Sequence, residues 1–307
     1  MTMKRSIRAT AVVGLLMGTG TVVAPALAQN QWGANYFPNV PLVTQDGATV
    51  RFYDDLLKGK AVALNAIYTS CKDECPLETA RLVQVQRLLG DRVGKEIFFY
   101  SISIDPTRDT PQVLKAYMQQ YGIGPGWLFL TGNPEDIKLI VKKLGLTRSR
   151  DAQTRDGHSA ILMIGDEPRG QWMRNSAVDN PRFLASTMST FFGWRNAIPG
   201  RSYAEARPAV PDAGAWVFRT RCNACHTIGQ GDGVGPDLAG VTQRRDRAWL
   251  ARYVAEPDRV LAEGDPIATA LVAKYKNIPM PNMRLDHEEV AAVLSFLEKT
   301  AAAPTGQ

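Results

Sequence analysis

Ala61-Val62-Ala63-Leu64-Asn65-Ala66-Ile67-Tyr68, followed at once by Thr69-Ser70-Cys71-Lys72-Asp73-Glu74-Cys75-Pro76, decides the reading of the first half of the chain. A short, almost wholly apolar run of this kind reads as a buried strand. The apolar positions from Leu77 to Leu89 then read as a helix. The two cysteines therefore fall at a strand-to-helix junction, where the helix dipole favours a thiolate.

Upstream, Gln45-Asp46-Gly47 separates Pro41-Leu42-Val43 from Ala48-Thr49-Val50, which predicts a hairpin. Downstream, Thr110-Pro111, Asn133-Pro134 and Asn180-Pro181 each place a capping side chain before a proline, the pattern of a helix start. Strands are expected between them at Ile97 to Ile104, Trp127 to Leu130 and Ser159 to Ile164. Alternating strands and helices predict a layered α/β domain.

Pro199-Gly200-Arg201-Ser202 and Arg207-Pro208-Ala209-Val210-Pro211 have linker composition, and no strand pattern follows them. Asp246 precedes a helix through Trp249, Leu250 and Tyr253, and Asp286 with Glu289 resembles a capping box before Val290, Val293, Leu294 and Leu297. A small all-α domain is expected there. A chain of 307 residues is long enough for two cores.

Cys222-Asn223-Ala224-Cys225-His226 is the C-x-x-C-H pattern of covalent haem c attachment, with His226 as an axial ligand. Two thiols three residues apart on one helical turn reach two vinyl groups of one porphyrin edge. Structural zinc would need two more nearby Cys or His ligands, and His287 sits in a charged helix start. A plain C-x-x-C redox pair is disfavoured because this one follows Ala213 to Thr220 and not a strand. The sixth iron ligand is expected from Met280-Pro281-Asn282-Met283, since a soft thioether late in such a domain is the usual partner. Residues 212–302 resemble the class I cytochromes c, through this segment and through Gly235-Pro236-Asp237-Leu238. The resemblance implies Met280 as the axial ligand, Met283 as a core or loop residue, and a Pro236 carbonyl supporting His226.

The i, i+4 spacing of Cys71 and Cys75 permits either chelation of one metal ion or a disulfide. Of three histidines, one is the haem ligand and His287 is on a charged surface. His158, in Gly157-His158-Ser159, is left as a third ligand or as an ordinary polar residue. Two thiolates with an imidazole suit copper, Cu(I) first.

Residues 36–190 resemble the SCO/SenC copper chaperones of cytochrome oxidase assembly. Thr69-Ser70-Cys71-Lys72-Asp73-Glu74-Cys75-Pro76, Ser103-Ile104-Asp105-Pro106-Thr107-Arg108-Asp109-Thr110-Pro111 and Gly157-His158-Ser159-Ala160 carry the resemblance. It implies a thioredoxin-like fold and a copper ion held by Cys71, Cys75 and His158. Asp105 would be either a nearby support or a turn-former. Gly157 departs from the Asp or Asn that the family often has before the histidine, so it supplies no side-chain hydrogen bond.

Lys4, Arg5 and Arg8, the apolar Ala9 to Val23, and Ala26-Leu27-Ala28 have the three parts of a secretory leader, so a signal peptide over residues 1–28 and a periplasmic location are expected. An uncleaved leader would instead anchor the protein at the membrane. Removing the leader's three basic residues from the formal +6 leaves +3, and there is no basic tract or aromatic-basic stripe, which argues against nucleic-acid binding.

The domain plan is a leader over 1–28, a copper-binding α/β domain over 36–195, a linker over 196–211 and a cytochrome c domain over 212–302. The function it implies is copper delivery to, or maturation of, the copper site of cytochrome c oxidase, with the haem for electron transfer. The expected partners are the oxidase copper subunit or its assembly factors, and an electron-transfer partner. The alternative is a thiol-disulfide oxidoreductase in which Cys71 and Cys75 are the redox pair acting on a metalloprotein client. Protein dithiols lie at roughly −120 to −270 mV and methionine ligation raises a haem's potential, so electrons leave such thiols for the haem more readily than they return.

Overall fold

The computed structural model describes residues 32–71, 74–146, 160–194 and 212–302. The expected leader, the linker and the histidine motif around His158 lie outside the described residues.

The hairpin forms as β1 (Pro41–Thr44) and β2 (Thr49–Arg51), and Gly47 closes the turn at a φ of 82°, open to glycine without strain. Then follow β3 (Ala61–Ile67), α1 (Glu74–Leu89), β4 (Phe98–Ser103), α2 (Pro111–Tyr121), β5 (Trp127–Gly132), α3 (Pro134–Leu144), β6 (Ile161–Asp166), β7 (Gln171–Ser176) and α4 (Pro181–Phe191). One seven-stranded sheet results, in the order β2-β1-β5-β4-β3-β6-β7. Strands β3, β4 and β5 are parallel and the other pairings antiparallel.

Strand β3 lies between β4 and β6 and is covered on both faces, which is why its sequence is a continuous apolar run. Val62, Leu64 and Ala66 face one cluster with Ile137, Ile140 and Val141 of α3. Ala63 and Ile67 face the other, with Leu77, Ala80 and Leu82 of α1. Each anticipated cap is made: Thr110 accepts from the Val113 amide, Asn133 from Glu135, and Asn180 from Arg182. Strand β7 was not expected, because Gln171-Trp172-Met173-Arg174-Asn175-Ser176 has no apolar run. It exists as the polar sheet edge that folds back on β6.

The second half is helical among the described residues: α5 (Ala213–Val217), α6 (Val241–Arg244), α7 (Arg247–Ala255), α8 (Pro257–Ala262), α9 (Pro266–Lys274) and α10 (His287–Ala302). A wider helical turn over Phe218–Cys222 continues α5 into the first haem-pattern cysteine. Helix α5 crosses α10 at Gly214, where a Cβ would lie 2.0 Å from the Ala292 carbonyl oxygen. Asp246 caps α7. Asp286 and Glu289 exchange bonds of 3.1 and 2.8 Å as a reciprocal capping box. No helix among the described residues is long and apolar enough to cross a membrane.

Candidate functional site

The end of β3 delivers Cys71 to the start of α1. The Cys71 amide donates to the Tyr68 carbonyl at 3.2 Å, and the Cys75 amide donates to the Cys71 sulfur at 3.5 Å. Both side chains are buried. Among the described residues no group of three His, Cys, Asp or Glu side chains is close enough to hold a metal ion; the pair itself offers two soft sulfur donors.

Asp109 fixes the loop that carries Cys71. Fully buried, it accepts from the Thr69 amide at 3.1 Å, the Thr69 hydroxyl at 2.5 Å and the Ser103 hydroxyl at 2.5 Å. It thereby ties the end of β3 to the turn after β4. Asp105, in the same motif, builds that turn: its carbonyl accepts from the Arg108 and Asp109 amides, and its carboxylate from the Thr107 hydroxyl at 3.0 Å. These bonds make Asp105 part of the turn. Asp109 was missed as a positioning residue although its motif was in view, because its burial against Thr69 and Ser103 appears only in the fold.

The electrostatics of Cys75 differ from the expectation of a thiolate at a helix start. Burial pushes its thiol well above the ordinary range, helped by the hydrogen bond with Cys71 and the nearby Glu78 carboxylate. Desolvation outweighs the helix dipole here, so without a bound cation Cys75 is held as a neutral thiol. Glu78, one turn along, accepts from Asn65 at 3.1 Å. Asn65 Oδ1 accepts from the Ser101 hydroxyl, and Ser101 from the Trp127 indole, so a buried polar chain runs from α1 across β3, β4 and β5.

In the helical domain, Cys222, Cys225 and His226 line one apolar cleft together with Met280 and Met283, its empty space about 1150 Å³ with open solvent included. Leu238, Leu250, Leu271, Leu294 and Leu297 supply much of its wall. His226 Nδ1 donates to the Pro236 carbonyl at 2.9 Å, which leaves Nε2 available as a ligand. Gly235 lies flat against that ring: a Cβ there would be 2.6 Å from the imidazole. Two thiols, an oriented imidazole, a thioether and an apolar cleft fit a covalently held haem. The two methionines differ in surroundings: Met280 packs with Tyr253 and Val260 inside the helical domain, and Met283 packs against the cluster that contains α1.

The loop beneath Pro236 is tied by Asp237, whose carboxylate accepts from the amides of Ala239, Gly229 and Gly231 and from the Thr227 hydroxyl. Those donors, the Ala239 amide foremost, hold the carboxyl well below the usual carboxylate range.

The two sites are neighbours through α1. Leu77, two residues after Cys75, lines the haem-type cleft. Arg81 donates to the Asn223 side chain at 2.6 Å and to the carbonyls of Arg219 and Thr220 at 2.8 and 3.1 Å. Gln84 donates to the carbonyls of Asn223 and Ala224, both at 3.1 Å. Tyr121, at the end of α2, is within electrostatic range of Cys225 on one side and of Cys75 and Cys71 on the other. Its ring packs on Tyr117 at 4.7 Å, and the Tyr117 hydroxyl is hydrogen-bonded to Thr79 of α1. Sequence patterns gave no sign of this contact.

Residues 30–193 match the family model described as SCO1/SenC, and residues 211–301 the model described as cytochrome c. The SCO2-like protein of Rickettsia felis is 34% identical over 145 residues, covering 45% of this chain and 68% of that protein. A putative copper-binding protein of Stutzerimonas stutzeri is 34% identical over 125 residues, covering 40% of this chain and 58% of its own length. Among solved structures, Bradyrhizobium japonicum ScoI with copper bound is 26% identical with a TM-score of 0.41, covering 50% of this chain and 99% of that one. The cytochrome c domain of the pp3183 protein from Pseudomonas putida is 49% identical with a TM-score of 0.28, covering 29% of this chain and 88% of that one.

Proposed function

We propose a function for a chain that belongs to the SCO1/SenC family and carries a C-terminal cytochrome c domain: it binds copper at Cys71, Cys75 and His158 and passes it to the copper site of cytochrome c oxidase. The observation that carries this reading is the pair of buried cysteines brought together at the end of β3 by the Cys75 amide, which donates to the Cys71 sulfur, and by the Asp109 clamp. Two adjacent sulfurs suit a soft monovalent ion, and the buried, loop-anchored position gives them a fixed geometry. Export to the periplasm follows from the leader pattern of residues 1–28.

Cys222 and Cys225 carry the haem through thioether bonds, with His226 and Met280 as axial ligands. The haem supplies a one-electron centre beside the metal-binding thiols. Joining the two on one chain raises their effective concentration for each other. The partners are the oxidase copper subunit or its assembly factors, and a protein that exchanges electrons with the haem.

The same thiol pair is also suited to disulfide exchange with a metalloprotein client, and His158 separates the two functions. The test mixes copper-loaded protein with a copper-free oxidase copper subunit and follows metal transfer and client thiol reduction. Copper delivery requires that both Cys71→Ser and His158→Ala abolish transfer. A His158→Ala variant that still reduces client thiols as fast as the wild type, with no copper transferred by either protein, would leave disulfide exchange as the activity.

A further inference from the structure

Arg81 is an unusual residue to find inside this molecule. Its side chain is 1% exposed, and its three hydrogen-bond acceptors, the Asn223 side chain and the Arg219 and Thr220 carbonyls, are all neutral oxygens. Its Nε has no hydrogen-bond partner among the described residues. A buried cation satisfied only by neutral oxygens is a poor device for stability, since desolvation of the charge is not offset by a counter-charge. Its side-chain partner Asn223 lies between Cys222 and Cys225, the two attachment cysteines, so the cation sits against the attachment turn. An arginine stays protonated in such a place, so the positive charge is permanent.

We propose that Arg81 is a positioning residue for the haem centre: supplied by α1 of the copper domain, it fixes the attachment turn Arg219–Asn223, and its buried charge favours the reduced iron. The inference rests on haem c attachment at Cys222 and Cys225, as proposed above. The ferric state carries one more positive charge than the ferrous state, and a nearby cation in a poorly screened site raises the energy of the former. Gln84 completes the clamp with bonds to the Asn223 and Ala224 carbonyls. The copper domain therefore contributes to the redox poise of the domain docked on it.

The test is a spectroelectrochemical titration of the haem in the full-length holoprotein and its variants, with the absorption spectrum as a check on axial ligation. Arg81→Gln is expected to lower the ferrous-to-ferric ratio at a fixed potential about tenfold, a shift of about 59 mV for one electron. Arg81→Lys keeps the charge and is expected to restore the ratio to within about threefold of wild type. Asn223→Asp sets a carboxylate opposite Arg81 without truncating it, and is expected to lower the ratio in the same direction. If Arg81→Gln does not fold, Asn223→Asp decides: a fall supports the assignment and an unchanged ratio overturns it. An Arg81→Gln ratio within about twofold of wild type, or an Arg81→Lys ratio as low as that of Arg81→Gln, also overturns it. A chain without covalent haem in a pyridine haemochrome assay would overturn the attachment reading and this inference together. Haem present with an unchanged ratio overturns only the role of Arg81.

Discussion

Asp109 and Gly235 hold the two sites in shape without belonging to either donor set. Asp109→Ala leaves the Thr69 and Ser103 donors unpaired in a buried place, which is expected to cost about 2 to 3 kcal/mol in denaturant unfolding. Because Thr69 leads into Cys71, the same change is expected to weaken copper binding about tenfold or more in a competition titration. Unaltered affinity would make Asp109 a purely structural residue. Gly235→Ala would press a methyl group into the His226 ring and is expected to reduce the yield of normally ligated haem, read from the absorption spectrum. The cysteine pairs and His226 were legible because their spacing carries chemistry. Asp109 was not, since an acidic residue in a turn reads the same whether it caps, clamps or faces water.

At the scale of elements, the loop from Thr227 to Ala239 depends on one carboxylate. Asp237 accepts four hydrogen bonds, and Asp237→Asn is expected to destabilise the helical domain by about 1 kcal/mol near neutral pH. Its folded-state value is depressed, so this stabilisation is fully present above the unfolded value of about 3.9 and is lost as the pH falls further towards the folded value. Denaturation from pH 7 downwards should show a constant gap between wild type and variant to about pH 4, then a closing one. Thr110→Ala removes the α2 cap and should cost about 1 kcal/mol in the same measurement. Helix starts and the hairpin were legible because a cap and a proline, or an Asp-Gly turn, are local signals. Strand β7 was hidden because its partner, β6, and not its own sequence makes it a strand.

For the whole molecule, α1 is the shared element. It begins at the cysteine pair, buries Glu78 towards the sheet, lends Leu77 to the wall of the apolar cleft, and presents Arg81 and Gln84 to the segment Arg219 to Ala224. A helix covered on so many sides has no clean amphipathic stripe, which is why its sequence foretold a helix but not the second domain packed on it. Each domain was legible from its own motif; their contact is a matching of side chains to carbonyls that no spacing encodes.

The proposed function places a three-ligand copper site beside a covalent haem on one chain. Counting copper per haem in the purified holoprotein and in His158→Ala decides whether that arrangement exists. One copper per haem is expected in the wild type, at least tenfold weaker binding in the variant, and the same haem content in both. No copper in the wild type, or full copper retained without His158, would contradict it.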